Sequence, residues 1–117
     1  MKDSEIVELY FKRKGVEVEH ILYAYCVAGS MIICLDSGDE FSCSMLMHEL
    51  KSHIPLNEFI SIRKGVIVRK SGILAISNDG IYTMINGKNL RGRKNSSKEH
   101  KIIRTTLGLD TSKVHTK

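Results

Sequence analysis

The 117-residue sequence lacks an apolar run long enough to cross a bilayer, for which about 20 residues are needed. Its N-terminus, M-K-D-S-E-I-V-E-L, carries acidic residues where a secretory signal would carry cations followed by an apolar block. With 42% hydrophobic and 26% charged residues, the composition is that of an ordinary soluble protein. We therefore expect a cytoplasmic protein that has no membrane partner and folds around one core.

The sequence also lacks the spacings of redox and metal motifs. Cys26, Cys34 and Cys43 form an odd set without a C-x-x-C pair, and their apolar contexts predict reduced core thiols. His48 and His53 lie five residues apart, so that about 140° would separate them around a helix. We expect no metal site and no cofactor.

Motifs of catalysis and nucleotide binding are missing as well. The glycines at 15, 29 and 38 stand in turn contexts, and no G-x-x-x-x-G-K run is present to hold a phosphate. The turn with Asp36, Asp39 and Glu40 lacks the alternating oxygen ligands of a calcium loop, which favours a solvated turn. The sequence predicts a protein that is not an enzyme.

Positive charge is concentrated in the C-terminal half of the chain. Residues 1–58 contain five Lys and Arg against ten Asp and Glu, a net charge of −5, whereas residues 59–117 contain thirteen against three, a net charge of +10. Such a basic half attracts polyanions, nucleic acid above all, although a solubilising basic surface explains the charge equally well. Aromatics make up only 6% of the chain and lie mainly in the acidic half, which disfavours single-stranded and RNA partners.

Alternating and β-branched segments predict a mostly β fold. We expect an opening hairpin of Ile6–Phe11 and Val16–His20 around Gly15. Further strands are predicted where short apolar runs are bounded by glycine and polar turns: Ile21–Val27, Met31–Leu35, Glu40–Cys43, Phe59–Ile62, Val66–Val68, Ile73–Ile76, Ile81–Ile85 and a last one around Leu90. The fold class is therefore packed antiparallel sheets of about ten short strands with one or two short helices.

Two segments interrupt this pattern with helical signals. Residues 44–54 place Leu46, Leu50 and Ile54 four apart, with Ser44 as the cap and Pro55 as the stop. Residues 96–99, S-S-K-E, predict a capping box for a helix that extends to about residue 107 and ends at Gly108. We divide the chain into a domain of residues 1–95 and a basic C-terminal helix and tail of residues 96–117.

A set of apolar side chains is expected to form the core. Its members are Leu22, Ile32, Ile33, Leu46, Leu50, Phe59, Val66, Ile67, Ile73 and Ile81. Tyr23 and Tyr25 are expected to pack there with exposed hydroxyl groups.

Five short motifs lie along these elements: H-I-L-Y at 20–23, the S-x-L-x-x-L-x-x-x-I-P helix at 44–55, F-I-S-I-R-K-G-V-I at 59–67, the G-I strand start at 72–73, and an N-G-K hairpin that leads to a basic loop at 91–95. These motifs and the order of the elements resemble the LytTR-type DNA-binding domain of bacterial regulators, from about Ile6 to Asn95. The chain departs from the common family pattern F-R-I-H-R-S-Y-I-V-N at Ile60, Ile62, Lys64, Gly65 and Val68.

The resemblance implies that three loops bind duplex DNA. Carried over by position, the DNA-binding residues are Ser30, Arg63, Lys64, Arg93, Lys94 and Asn95. Arg63 is expected to read guanine, and Lys64 and Lys94 to contact phosphates. In the same family the segment with Arg69 and Lys70 lies away from DNA, so these two are expected to be solvated cations.

The resulting prediction is a sequence-specific transcriptional regulator that has no receiver domain, since none fits within 117 residues. Double-stranded DNA is the expected partner, with a homodimer on repeated sites and a regulatory protein as further candidates. The alternative is a protein-interaction module of the same β fold that has lost base readout.

Overall fold

The computed structural model describes residues 3–93 and 97–109 of the chain. Its strands are β1 (Ile21–Val27), β2 (Ser30–Leu35), β3 (Glu40–Cys43), β4 (Phe59–Arg63), β5 (Val66–Arg69), β6 (Ile73–Ile76), β7 (Ile81–Met84) and β8 (Asn89–Arg91). Its helices are α1 (Asp3–Lys14), α2 (Met47–Lys51) and α3 (Ser97–Thr106). None of the helices in these ranges has the length and apolar character that a membrane span requires.

The strands form two antiparallel sheets. The larger sheet has the order β3-β2-β1-β5-β4, and the smaller has the order β6-β7-β8. The mostly β fold class is confirmed, and the eight predicted strands from Ile21 onward lie within a residue or two of their predicted ends. The described part of the chain has these eight strands in place of about ten because the opening hairpin does not form.

The N-terminal segment is the helix α1, so the predicted hairpin of Ile6–Phe11 and Val16–His20 is wrong. Gly15, with φ of +71°, ends this helix and does not turn a hairpin. Its N–H donates to the Lys12 carbonyl at 3.3 Å, and the Val16 N–H donates to the Phe11 carbonyl at 2.8 Å. These two bonds form the Schellman motif, which satisfies the carbonyl groups of the last helical turn.

Helix α1 packs on one face of the large sheet, whose central strands are apolar on both faces. Four successive residues of β1 are buried, and they divide between two apolar clusters on opposite sides of the large sheet. The small sheet covers one side, and α1 covers the other with Val7 and Phe11, which are 0% and 2% exposed. These two side chains lie four residues apart and therefore on the same helical face.

Helix α2 is shorter than the predicted Ser44–Ile54. It begins after Leu46, whose N–H donates to the Glu49 carboxylate at 2.8 Å, so Ser44 is not the cap. Leu50 and Ile54 are buried as expected, but Leu46 is 56% exposed and does not belong to the core.

Helix α3 packs on the small sheet, and its predicted end is confirmed. Gly108, with φ of +74°, and Leu109 donate to the Thr105 and Arg104 carbonyls, which again makes a Schellman motif. Ser96, the predicted cap, lies outside the described residues. The Arg104 guanidinium donates to the Ile76 carbonyl at 2.9 Å and thereby ties α3 to the edge of β6.

Most of the predicted core is confirmed. Seven of its ten members are buried: Leu22, Ile33, Leu50, Phe59, Val66, Ile67 and Ile73. Ile32 and Ile81 are half-buried. Two details are wrong: the Tyr23 hydroxyl is inside, 3.4 Å from both Glu40 and Asn86, and Cys26 is exposed. Cys34 is buried and Cys43 is half-buried.

Candidate nucleic-acid interface

Three connecting segments meet at one end of the large sheet. Strands β1 and β5 are antiparallel neighbours, so the turn after β1 lies beside the turn before β5, and the Cys26 N–H donates to the Gly65 carbonyl at 2.9 Å. The segment after β8 joins them, because the Arg93 N–H donates to the Ile62 carbonyl of β4 at 3.0 Å. We call the turn at 28–29, the turn at 64–65 and the segment 92–93, with the strand residues that flank them, the loop end.

The turn between β4 and β5 places two cations in solvent. Arg63 and Lys64 are both exposed, and a bulge between Ser61 and Arg63 bends the strand before the turn. Gly65 has φ of +79°, a conformation that side-chain-bearing residues rarely adopt, which is why a glycine closes so tight a turn. The sequence predicted this exposure of Arg63 and Lys64 correctly.

The hairpin between β1 and β2 is a two-residue turn. Ala28 and Gly29 have φ of 50° and 80°, which is the pattern of a type I′ turn. Ser30 pairs with Val27 at the base of the turn and is exposed, so its hydroxyl is accessible at the loop end. Met31 is fully buried and faces the core.

The segment after β8 is held in place by helix α3. The Arg93 guanidinium is partly exposed and donates to the Glu99 carboxylate at 3.0 Å, and the Arg93 carbonyl accepts from His100 Nε2 at 2.9 Å. His100 is 1% exposed. Lys94 and Asn95, which were also predicted to bind DNA, lie outside the described residues.

Two surface depressions at the loop end gather further positive charge. Lys51, Lys64 and Arg93 line one of them, and Arg63 and Arg91 line the other. None of the described lining residues of either depression is a carboxylate, although Glu99 approaches Arg93 from α3. The structure thus brings five cations together at one end of the molecule.

The sequence did not identify Lys51 as a member of this surface, and it placed Arg91 in the basic loop at 91–95 without counting it among the DNA-binding residues. For Arg91 a signal exists, because buried Leu90 alternates with exposed Asn89 and Arg91 in a strand that leads directly to Arg93. Lys51 lies in α2, and only the tertiary fold brings it beside Lys64 and Arg93.

Arg69 is not the solvated cation that was predicted. Its side chain is 13% exposed; Nε donates to the Ile21 carbonyl and Nη2 to the Val18 carbonyl, both at 2.8 Å. Nη1 contacts the Glu58 carboxylate at 2.6 Å, and the guanidinium lies 4.5 Å from the centre of the Phe59 ring. Arg69 therefore joins the start of β1 to β4 and β5. Lys70 is half-buried in the turn that follows.

The described residues contain no cluster of three metal-ligating side chains. The pKa of Tyr82, which lies behind Arg93, is raised to about 12, chiefly by burial and further by the Glu99 carboxylate. Its hydroxyl therefore keeps its proton and is 2.9 Å from His100 Nδ1. The loop end combines exposed guanidinium and ammonium groups with backbone segments that are hydrogen-bonded to one another, which suits contacts to phosphates and base edges.

The fold of the protein is similar to that of a solved structure, although its sequence has no such match. No family model matches the sequence, and no curated protein matches it. Among solved structures, the protein is similar to the LytTr DNA-binding domain of a proposed methyl-accepting/DNA response regulator from Bacillus cereus, with a TM-score of 0.63. The match covers 80% of this chain and 85% of that chain at 18% sequence identity. The protein therefore has the LytTR-type fold that the sequence resemblance predicted.

Proposed function

We propose that the protein binds duplex DNA through its loop end, reads sequence there, and acts as a transcriptional regulator. The observation that carries the proposal is the convergence of Arg63 and Lys64, from the turn between β4 and β5, with Arg93 from the segment after β8 and with Ser30 on the adjacent hairpin. The fold is that of a protein described as a DNA-binding domain, which supports the same partner.

The cations have different roles in this proposal. Arg63 leaves the end of β4 after a bulge, and its planar guanidinium can donate two hydrogen bonds to O6 and N7 of a guanine in the major groove. The Arg93 guanidinium can, like that of Arg63, donate to a base edge. Lys64 and Lys51, which line one depression with Arg93, are suited to following a phosphate backbone. Lys94 and Asn95 are proposed to extend this contact.

Salt dependence tests whether nucleic acid is the partner. We expect binding to random duplex DNA to show a log-log salt slope of about −4 to −7, which corresponds to roughly five to eight neutralised phosphates. Fluorescence anisotropy over a range of salt concentrations measures this slope. A slope near zero would reject DNA as the partner and favour a protein-interaction module of the same fold.

Matched arginine variants test readout. The preferred site is obtained by selection from a random duplex library. Arg63→Ala is expected to cost about 1 to 3 kcal/mol of binding free energy at this site and to relax the preference at one base pair. Lys64→Ala is expected to weaken binding to all sequences alike and to flatten the slope by about one. The control is Arg13→Ala, an equal loss of charge at an exposed position near the end of α1, which leads into the opposite end of β1.

The pattern of losses decides between readout and simple attraction. If Arg63→Ala weakens preferred and random duplexes equally, the loop end attracts DNA without reading it. If Arg13→Ala weakens binding as much as Arg63→Ala, the loop end is not the interface.

A further inference from the structure

A buried histidine stands directly behind the segment that carries Arg93. Among the described residues, His100 is the one histidine that is fully buried, at 1% exposure. It lies on α3, seven residues after Arg93, at the junction of the helix and the small sheet. Burial of an imidazole is unfavourable unless both ring nitrogens are hydrogen-bonded.

Both nitrogens of His100 have a partner. Nε2 lies 2.9 Å from the Arg93 carbonyl, which can only accept, so Nε2 carries a proton in this contact. Nδ1 lies 2.9 Å from the Tyr82 hydroxyl, which donates to it when the ring is neutral. In the neutral ring, the tautomer with its proton on Nε2 is therefore the one that satisfies both partners. Nδ1 and Nε2 cannot take each other's place in these two hydrogen bonds.

Two glycines form the slot that holds the ring. A Cβ at Gly80 would lie 2.6 Å from His100 Nε2, and a Cβ at Gly92 would lie 2.7 Å from Cε1 of the same ring. The two glycines are joined directly, since the Gly92 N–H donates to the Gly80 carbonyl at 2.7 Å. The backbone before β7 and the backbone after β8 thus close on the imidazole, which leaves the ring little room to move.

These contacts fix the backbone of Arg93 from both directions. Its carbonyl accepts from His100, and its N–H donates to the carbonyl of Ile62, the residue before Arg63. An apolar side chain in the slot would fill the space but would leave the Arg93 carbonyl without this donor. The hydrogen-bonding capacity of His100, beyond its volume, is what orients the segment.

We propose that His100 is a positioning residue of the DNA interface: through Nε2 it sets the backbone conformation of Arg93 and so the direction in which the guanidinium leaves the loop end. This inference rests on the proposed function. It assigns α3 a part in recognition through a residue that touches no DNA itself.

Two amide substitutions separate the contacts of the ring. In His100→Gln the side-chain amide nitrogen can occupy the place of Nε2 and donate to the Arg93 carbonyl, whereas in His100→Asn the shorter amide reaches only the Nδ1 partner, Tyr82. Tyr82→Phe is the control, because it removes the bond to Nδ1 and leaves the bond to Arg93. All three variants disturb the same buried site and are expected to lower the thermal midpoint.

DNA selectivity distinguishes positioning from packing. The measurement is the ratio of affinities for the preferred and a random duplex, taken well below the lowest midpoint of the set. We expect His100→Asn to lower this ratio by about 5- to 20-fold, the effect of one lost hydrogen bond, while His100→Gln and Tyr82→Phe stay within about threefold of the wild type. Equal ratios for all four proteins, or an equal loss in Tyr82→Phe and His100→Asn, would overturn the proposal.

Amide hydrogen exchange at Arg93 tests the positioning without DNA. The Arg93 amide is expected to exchange faster in His100→Asn than in His100→Gln, and unchanged protection in His100→Asn would overturn the proposal. If the wild-type protein fails to bind DNA while this exchange pattern holds, the proposed function fails and the positioning of Arg93 by His100 stands. If His100→Asn does not fold, His100→Gln is compared with His100→Leu instead. Of these two, only the leucine variant is expected to lose protection of the Arg93 amide.

Discussion

Replacement of Arg69 by alanine is expected to destabilise the protein strongly, although Arg69 lies in the same basic run as Arg63. The guanidinium donates to two backbone carbonyls, those of Ile21 and Val18, and its side chain is largely buried. The variant leaves both carbonyls without these donors and removes the ion pair with Glu58.

The magnitude follows from the separate contacts. A hydrogen bond from a charged donor contributes about 1.5 to 3 kcal/mol, a partly exposed ion pair about 0 to 1, and a cation above an aromatic ring about 0.5 to 1. Water that enters the vacated space replaces part of the loss at the two carbonyls, so we expect a net loss of about 2 to 4 kcal/mol in the free energy of unfolding. For a domain of this size that is a fall of roughly 8 to 15 °C in the thermal midpoint.

Thermal and urea unfolding, followed by far-ultraviolet circular dichroism, measure the effect. Arg63→Ala removes the same side chain from an exposed position and is expected to change the stability by less than about 0.5 kcal/mol. Arg69→Lys keeps the charge, but its single ammonium group cannot reach all three oxygen partners, so its loss should lie between those two variants. A midpoint for Arg69→Ala within about 2 °C of the wild type would refute the structural role that we assign to Arg69.

Two further predictions concern charged pairs near opposite ends of the large sheet. Because the Glu99 carboxylate holds the Arg93 guanidinium at 3.0 Å, Glu99→Gln is expected to tighten duplex binding about two- to fivefold at low salt. The same change in an Arg93→Ala background should give a smaller gain. An equal gain would mean that Glu99 acts only by repelling the phosphates of DNA. The pKa of His20 is raised, chiefly by its hydrogen bond to Asp36 and next by the electrostatic attraction between the two side chains. The contribution of this pair to stability is therefore fully present below the unfolded pKa of about 6.5, and it is lost as the pH rises through the folded pKa. A proton NMR titration checks this, and Asp36→Asn should return the pKa of His20 towards its ordinary value.

The strands were predictable because each carries its own signal. Short apolar runs bounded by Asn-Gly or another glycine turn identify β1 to β8 without reference to the rest of the chain. Helix α1 was missed because Ile6, Val7, Tyr10 and Phe11 have β-branched or aromatic side chains typical of strands. The burial of Val7 and Phe11, four residues apart, is what favours a helix here. This burial depends on the sheet face that the two side chains cover.

The candidate site was predictable in part for the same reason. Exposure of Arg63 and Lys64 follows from their position at a turn, whereas the role of Arg69 depends on carbonyls that lie 48 and 51 residues away in the sequence. Arg69 and Arg63 differ in their partners and not in their local pattern, so no property of the run F-I-S-I-R-K-G-V-I-V-R-K could separate them. Lys51 and His100 likewise gain their positions only from the packing of helices on sheets.

Strand β4 lies at the outer edge of the large sheet, and the Arg93 backbone pairs with it at Ile62. Outer strands are where separate chains add to one another, because their backbone groups on that side have no neighbouring strand. The Arg93 N–H occupies one backbone acceptor of this edge, the Ile62 carbonyl, so that acceptor is not open to a second chain. A ligand or mutation that lifts the segment from β4 uncovers a backbone acceptor there, so loss of the segment's docking and a tendency to aggregate should appear together.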